Sequence, residues 1–460
     1  MIALQEIITV TGGTLLSTGS EAVTGISTDT RSLRPGEIFI ALRGENFDGH
    51  RFVADALYKG AAGVVLSSLP NGLAQSADAR GKSIIKVADT LLALGAIATA
   101  HRRKFSLPLI AITGSVGKTA TKEMLAHILS KRREVLRTPE NYNNEIGVPL
   151  ALLALTEHHQ AAVIEMAMRG PDQIRYLAEL AQPVVGVITN IGPSHLELLC
   201  DEESTARAKA ELLEVMGPQG TAVLNADDRF FPLLRELAPG RVVTFGLQQP
   251  ADYQTAEVSS ADGLSADFVL HTGGVMIMAH LPVPGMHQVH NALAAVAAAC
   301  QIGESASEAI TALEDFSPAH GRLETVTTAR GFTIIDDSYN ASPASMEAAL
   351  QVLARYPAER KLAVLGDMKE LGPQEHEFHR QVGRQAADTG LSLLVTVGEL
   401  AATIVEGAAS NLASDRIMQV NSNDQAAEIL LQHLRPGDVV LVKGSRVMAM
   451  EQIVERLKHA

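Results

Sequence analysis

Short apolar runs bounded by Gly, Pro, Asn and Asp mark the early part of the chain: Ile38-Phe-Ile-Ala-Leu, Gly63-Val-Val-Leu and Ile84-Ile-Lys-Val. Runs of this length between turn formers read as strands, and together they predict a small α/β unit. Between Asp89 and Lys104 the period lengthens. Leu91, Leu92, Leu94, Ile97 and Ala98 recur at helical spacing, and the basic residues that follow suit the carbonyl end of a helix. This predicts a connecting helix, with a new domain beginning near Pro108.

From Pro108 onward, near-continuous apolar strands alternate with helical stretches: Leu109-Ile-Ala-Ile-Thr, Ala161-Ala-Val-Ile-Glu, Val184-Val-Gly-Val-Ile-Thr-Asn, Ala222-Val-Leu-Asn and Val242-Val-Thr-Phe. Strands that are apolar on both faces need cover on both, which predicts a parallel sheet. Residues 251–282 turn polar and alternating, so antiparallel strands are expected at its edge, followed by an Ala-rich helix starting near Asn291. After Gly321-Arg322 the alternation restarts with Thr333-Ile-Ile-Asp-Asp, Leu362-Ala-Val-Leu-Gly-Asp, Leu393-Leu-Val-Thr-Val-Gly and Val439-Val-Leu-Val-Lys-Gly. The expectation is an α/β fold of three domains. A small N-terminal α/β substrate domain with its connecting helix covers 1–107, a central parallel-sheet domain covers 108–322, and a doubly wound, Rossmann-like domain covers 323–460.

Composition narrows the partners. At 460 residues and 46% apolar content the chain is too long for one core. It has no run of 18 apolar residues, and Met1-Ile-Ala-Leu-Gln-Glu-Ile lacks the features of a secretory signal, so a cytoplasmic protein without membrane insertion is expected. Fifty-two acidic against 38 basic residues give a formal charge of -14, which disfavours nucleic acid and anionic lipid. An anionic small molecule would need local cations and backbone N–H groups. Cys200 and Cys300 form no Cys-x-x-Cys pair, so neither a disulfide framework nor structural zinc is indicated.

Such a local pocket is written at Thr113-Gly-Ser-Val-Gly-Lys-Thr119, directly after an apolar strand and before a helical stretch from Thr119 to Lys131. In a glycine-rich turn, backbone N–H groups can face phosphate oxygens. The helix start adds positive potential, Lys118 reaches the terminal phosphates, and the Thr119 hydroxyl can hold magnesium. This makes the central domain a P-loop domain with an ATP site spanning Thr113, Gly114, Ser115, Val116, Gly117, Lys118 and Thr119. The glycine that the common motif places five positions before Gly117 is missing. A phosphate loop alone leaves a non-catalytic nucleotide-binding module open as an alternative.

That shortened loop resembles the ATP site of the Mur ligase family. Further stretches follow in the family's order: Asn141-Tyr-Asn-Asn-Glu-Ile-Gly-Val-Pro, Ile164-Glu-Met, Asn190-Ile-Gly-Pro-Ser-His195 and Ala208-Lys-Ala-Glu-Leu-Leu. Ser27-Thr-Asp-Thr-Arg31, Pro35 through His50 and Leu441-Val-Lys-Gly-Ser-Arg446 are similar to the family's D-alanyl-D-alanine-adding branch, and the Asp-Asn-Pro-Arg of the diaminopimelate-adding branch is absent. The resemblance implies ATP and Mg2+ as cofactors, UDP-N-acetylmuramoyl-tripeptide and D-alanyl-D-alanine as partners, and an amide-bond ligase acting through an acyl phosphate. A monomer is expected. Another Mur ligase or a folylpolyglutamate synthase-like ligase is the alternative within enzymes.

The same resemblance implies roles for single residues. Lys118 and Arg322 would neutralise the charge that develops when a carboxylate meets a triphosphate. Thr119, Glu165, His195 and Lys209 would hold magnesium, Lys209 as a carbamate. Glu165 suits this independently, because the carboxyl ends of parallel strands are where such sheets bind ligands, whereas His195 also reads as a helix cap and Lys209 as a solvated helix residue. Asn291, Asp337 and Asn340 would contact adenosine, although Asn291 also reads as an N-cap. Ser27, Thr28, Asp29, Thr30 and Arg31 would hold the UDP-sugar or form a plain turn. Asn143 and Asn144 would contact this substrate, and Lys443, Ser445 and Arg446 the incoming dipeptide.

Overall fold

The computed structural model of the chain describes residues 2–19, 22–44, 47–70, 73, 79–139, 141–192, 201–255, 257–260 and 263–459. Two compact units emerge: Met1–Ala111 with Arg133–Met168 and Gln173–Pro183, and Ile112–Arg132 with Arg169–Asp172 and Val184–Ala460. The stretch expected as one central domain is therefore shared between them. The cause lies in the connecting helix Thr90–Arg102, on which the helices Gly147–Leu153 and Gln173–Ala181 pack.

In the first unit the anticipated strands Ile38–Ile40, Gly63–Leu66 and Ser83–Lys86 lie side by side in parallel. Ile26–Ser27 extends the sheet in parallel at one edge, and Thr14–Ser17 closes the other in antiparallel sense, with a register shift between Leu15 and Ser17. Thr14–Ser17 alternates between exposed and half-buried positions, so it offers no continuous apolar run for a pattern to catch. Asp89 caps the connecting helix, its Oδ1 accepting from Leu91 N at 2.7 Å and Leu92 N at 3.0 Å. At the other end, buried Arg102 does not solvate its own helix terminus. It donates to the carbonyls of Ala181, Phe105 and Leu107, which satisfies a guanidinium that burial has made less basic. The short strand Val135–Arg137 pairs in parallel with Ala161–Glu165.

The second unit carries most of the parallel core. Val185–Ile188, Thr221–Asn225, Arg241–Gly246 and Tyr253–Gln254 are successive parallel neighbours. Ala266–Thr272 then pairs in antiparallel sense with Gln254, with Val258–Ser259 and with Val275–Leu281. The Ala-rich helix runs Met286–Cys300, beginning five residues before Asn291 and capped by Gly285, whose φ of +104° an L side chain tolerates poorly. Asn291 is thus inside the helix and not its N-cap. Ala292 through Ala299 are fully buried, and the small side chains let this helix lie close on Lys118–Ser130.

A second sheet in this unit has the order Glu324–Thr327, Thr333–Asp337, Val439–Lys443, Lys361–Gly366, Leu393–Val397, Ile417–Val420. Its first pair is antiparallel and the rest parallel, the doubly wound pattern that the sequence predicts. Asp337 and Lys443 are register partners at the carboxyl ends of neighbouring parallel strands, where such sheets form ligand crevices. Among the described residues no helix is long and apolar enough to cross a membrane.

Candidate active site

The phosphate loop follows the fully buried strand Leu109–Thr113 and leads into the helix Lys118–Ser130. It is held from below by the strand end at Thr189 to Gly192. Ser115 N donates to Asn190 O and Val116 N to Asn190 Oδ1, both at 2.9 Å, while Val116 O accepts from Thr189 Oγ1 at 2.6 Å and Asn190 Nδ2 at 2.9 Å. Ser115 Oγ and Gly192 exchange a further pair of bonds. Two loop N–H groups that the sequence offers to phosphate are therefore taken up by Asn190. The anion-facing potential concentrates at the helix start. Lys118 curls over the loop, its Nζ donating to Gly114 O at 2.6 Å and Ser115 O at 3.1 Å. Gly117 has φ +86° and lies against Asn291 Oδ1, so a Cβ there would collide with it. The Thr113 hydroxyl is buried with no hydrogen-bond partner among the described residues. Room kept by glycine, an unsatisfied hydroxyl and a lysine over the loop fit a bound polyphosphate.

Asn291 is buried, with Nδ2 donating to Gln288 Oε1 at 3.2 Å and Oδ1 accepting from Thr121 at 3.4 Å. Its neighbour His290 reaches Asp227 Oδ2 at 2.9 Å. Burial alone would raise the Asp227 carboxyl, but His290 and the N–H groups of Leu247, Gln248 and Gln249 hold it well below the usual range.

Lys209 lies within the helix Glu202–Met216 and is 1% exposed. Burial drives its ammonium well below the ordinary lysine range, and the Lys118 charge pushes the same way. Among the described residues no carboxylate pairs with it. A neutral buried amine can react with carbon dioxide, so the Lys209 environment suits carbamylation. His195 lies outside the described residues.

In the first unit Glu165 ends its strand 2% exposed, with Oε1 accepting from Asn143 Nδ2 at 2.8 Å and its own N–H donating to Thr138 Oγ1 at 2.9 Å. Asn143 thus orients a carboxylate. Asn144 accepts from Ile146 N and Gly147 N, stabilising the start of Gly147–Leu153. At the N-terminal cluster, Ser27 Oγ bonds to the Asp29 backbone and the Asp29 carboxylate takes Arg31 N at 2.8 Å and the Arg31 guanidinium at 2.6 Å. Thr30 O accepts from Lys59, and Arg31 keeps 88% of its side chain exposed. These bonds make a self-supporting turn through Thr28 that presents an exposed guanidinium, so turn and ligand site are compatible.

In the second unit, Lys443 is buried and donates to Asp337 Oδ2 at 2.5 Å and Asn340 O at 2.9 Å, which places it with the adenosine candidates and away from open surface. Burial pushes the His287 pKa down to about 4, an effect the Asp337 charge partly opposes and the Lys443 and His290 charges reinforce. Ser445 is also buried, its Oγ accepting from Lys369 N at 2.9 Å. Arg446 is exposed, bonded to Glu451 at 2.9 Å and, through its N–H, to Asn340 Oδ1 at 3.3 Å. Sequence reasoning missed Tyr339, whose ring carries the guanidiniums of Arg322 at 4.3 Å and Arg446 at 5.4 Å. It also missed the cradling role of Thr189 and Asn190. Polar residues just past the carboxyl ends of parallel strands were the available signal in both cases.

A nucleotide-type phosphate loop, a buried lysine whose pKa burial lowers, and charged residues at the carboxyl ends of a second, largely parallel sheet mark a P-loop α/β nucleotide-binding enzyme. Three family models match successive stretches: "Mur ligase family, catalytic domain" over residues 22–102, "Mur ligase middle domain" over 112–299 and "Mur ligase, glutamate ligase domain" over 321–446. The chain is 36% identical over 458 residues to a UDP-N-acetylmuramoyl-tripeptide--D-alanyl-D-alanine ligase of Bacillus subtilis, covering 99% of this chain and 98% of that one. It therefore belongs to the Mur ligase family and has that family's three-domain architecture. A crystal structure of MurF from Acinetobacter baumannii superposes with a TM-score of 0.90 at 34% identity, covering 100% of this chain and 99% of the other. A MurF ligase from Thermotoga maritima in complex with ADP matches with a TM-score of 0.82 at 28% identity over 95% and 97% of the two chains.

Proposed function

We propose that the chain is the cytoplasmic ATP-dependent ligase that joins D-alanyl-D-alanine to UDP-N-acetylmuramoyl-tripeptide, yielding ADP, phosphate and the UDP-muramoyl-pentapeptide of peptidoglycan synthesis. The observation that carries this reading is end-to-end likeness, over 98% of its length, to a relative bearing that name. Segment 1–107 binds the UDP-sugar through Ser27 to Arg31, 108–322 binds ATP, and 323–460 receives the dipeptide.

A carboxylate is a poor acylating agent because its oxygen does not leave. ATP with Mg2+ supplies the missing leaving group by phosphorylating that oxygen, and the dipeptide amine then displaces phosphate. The chain's own contribution is charge and position. Lys118 and Arg322 offset the repulsion between substrate carboxylate and triphosphate. Thr119, Glu165, His195 and Lys209 each offer a magnesium ligand, Lys209 after carbamylation. Asn143 fixes the Glu165 rotamer at 2.8 Å. Asn291, Asp337 and Asn340 serve adenosine, with Lys443 holding Asp337. Asn144 acts by shaping the substrate loop. Ser445 and exposed Arg446 serve the dipeptide, whose terminal carboxylate suits a guanidinium.

The test is phosphate release by purified protein with ATP, magnesium and UDP-muramoyl tripeptide, offering either D-alanyl-D-alanine or single amino acids. Release with the dipeptide alone is expected. Release with a single amino acid would assign the chain to another branch of the family, and none at all would favour a nucleotide-binding module.

A further inference from the structure

The segment just before the second sheet of the second unit holds a group of ligand atoms that the ligase reading does not use. His320 Nδ1 lies 2.6 Å from Glu324 Oε2, and a carboxylate oxygen of Asp336 comes within 4.8 Å of the atoms these two residues offer. The group is set by strand register: Glu324 and Asp336 are directly opposite each other in the antiparallel pair Glu324–Thr327 and Thr333–Asp337. Like charges in that position repel, so a fold that keeps both carboxylates there needs something between them. Asp336 is 0% exposed. Its Oδ1 accepts from Ser338 N at 3.1 Å and from the Ser338 hydroxyl at 2.5 Å, while Oδ2 is buried with no hydrogen-bond partner among the described residues. An orphaned buried carboxylate oxygen is costly unless a proton or a cation completes it.

We propose that His320, Glu324 and Asp336 form a divalent transition-metal site, distinct from the magnesium ligands of the ligase centre. One imidazole and two carboxylates balance a dication and match the borderline donor set that favours Zn2+ or Mn2+ over Ca2+, which takes six or more oxygens. His320 leaves 62% of its side chain exposed, so the fourth position opens to water and the ion has a path in. Bound metal would tie Gly321 through Leu323 to the sheet edge, and with them the backbone of Arg322, whose guanidinium stacks on Tyr339.

The experiment is titration of the full-length chain with Zn2+ alone, without nucleotide, followed by calorimetry and by anomalous scattering from crystals. It is run on wild type, on Glu165→Gln to weaken the ligase metal centre, and on His320→Ala, which alters an exposed side chain and leaves the core intact. One equivalent that persists in Glu165→Gln and weakens at least tenfold in His320→Ala is expected, with an anomalous peak between His320 and Asp336. Binding that His320→Ala leaves unchanged overturns the site. So does an absence of binding in wild type, and a gain in stability in Asp336→Asn would then assign the pair a shared proton. Neither result bears on ligase turnover, so the two readings fail separately.

Discussion

Replacing Lys209 with methionine should make the protein more stable and far less active. The ammonium is 1% exposed, burial is the first cause of its lowered pKa, and the Lys118 charge adds to it. An ion stripped of water in a protein interior costs several kcal/mol after relaxation, which favours loss of the proton in the native state. The unfolded chain keeps it. Between the lowered folded value and the ordinary unfolded one, the unfolded state binds more protons. Stability therefore rises with pH through that window, by about 1.4 kcal/mol per pH unit for one proton. Methionine has similar length and no charge, so Lys209→Met should raise stability at pH 7 by about 2 kcal/mol and remove that component of the slope. Urea unfolding from pH 6 to 10 in CO2-depleted buffer measures both. Turnover should drop by about 10²–10³-fold, the usual scale for losing one electrostatic contact to the transition state, and a 13C-carbamate resonance present in wild type under 13CO2 should vanish. A variant less stable than wild type by ~1 kcal/mol, with its pH slope intact, would mean that Lys209 is charged and paired.

Gly117→Ala places a Cβ against Asn291 Oδ1 at a φ of +86°. The left-handed backbone alone costs an L residue about 1–2 kcal/mol, so a lower melting temperature and at least tenfold weaker ADP binding by calorimetry are expected; unchanged ADP affinity would remove Asn291 and Gly117 from the nucleotide cradle. His287 has its pKa pushed from 6.5 down to about 4 by burial. A lowered folded value means that stability is complete above pH 6.5 and is lost as pH falls toward 4, by at most about 3 kcal/mol. His287→Asn should flatten urea-unfolding stability across that range, and a variant that keeps the wild-type slope would show that other groups carry it.

The strands and the loop helix were legible because each announces itself locally. Leu109–Thr113 is apolar on both faces and the Lys118–Ser130 helix follows a glycine turn, so neither depends on distant residues for its assignment. Edge strands were not legible: Val135–Arg137 has one buried residue of three, and Ile417–Val420 one of four, so neither makes a run. The helix from Met286 was placed late because Met-His-Gln-Val-His carries no apolar period and Asn291 mimics a cap. Lys209 shows the deeper limit. Its helix begins Glu-Glu-Ser-Thr-Ala-Arg, a polar spelling under which a lysine defaults to solvent. Its burial comes from the sheet the helix packs on, through contacts remote in sequence.

Asp336 and Asp337 show the same limit within two adjacent letters. As a sequence, Asp-Asp at the end of a strand is one acidic signal, and the family resemblance attaches nucleotide binding to it. In a strand, successive side chains leave by opposite faces. Asp337 meets the buried ammonium of Lys443 across a parallel pair at 2.5 Å, whereas Asp336 faces Glu324 across an antiparallel pair and ends in an unsatisfied oxygen. The difference in partner follows from the pleat and from what stands at each register position: Asp336 is flanked by Glu324 and Val442, Asp337 by Lys443. One face of the strand therefore carries the Asp337–Lys443 pair at the carboxyl ends of parallel strands, while the other is left with two opposed carboxylates. Arg322, between His320 and Glu324 in sequence, departs from that pair to stack on Tyr339, so the segment that would hold a metal also positions a cation on the crevice side.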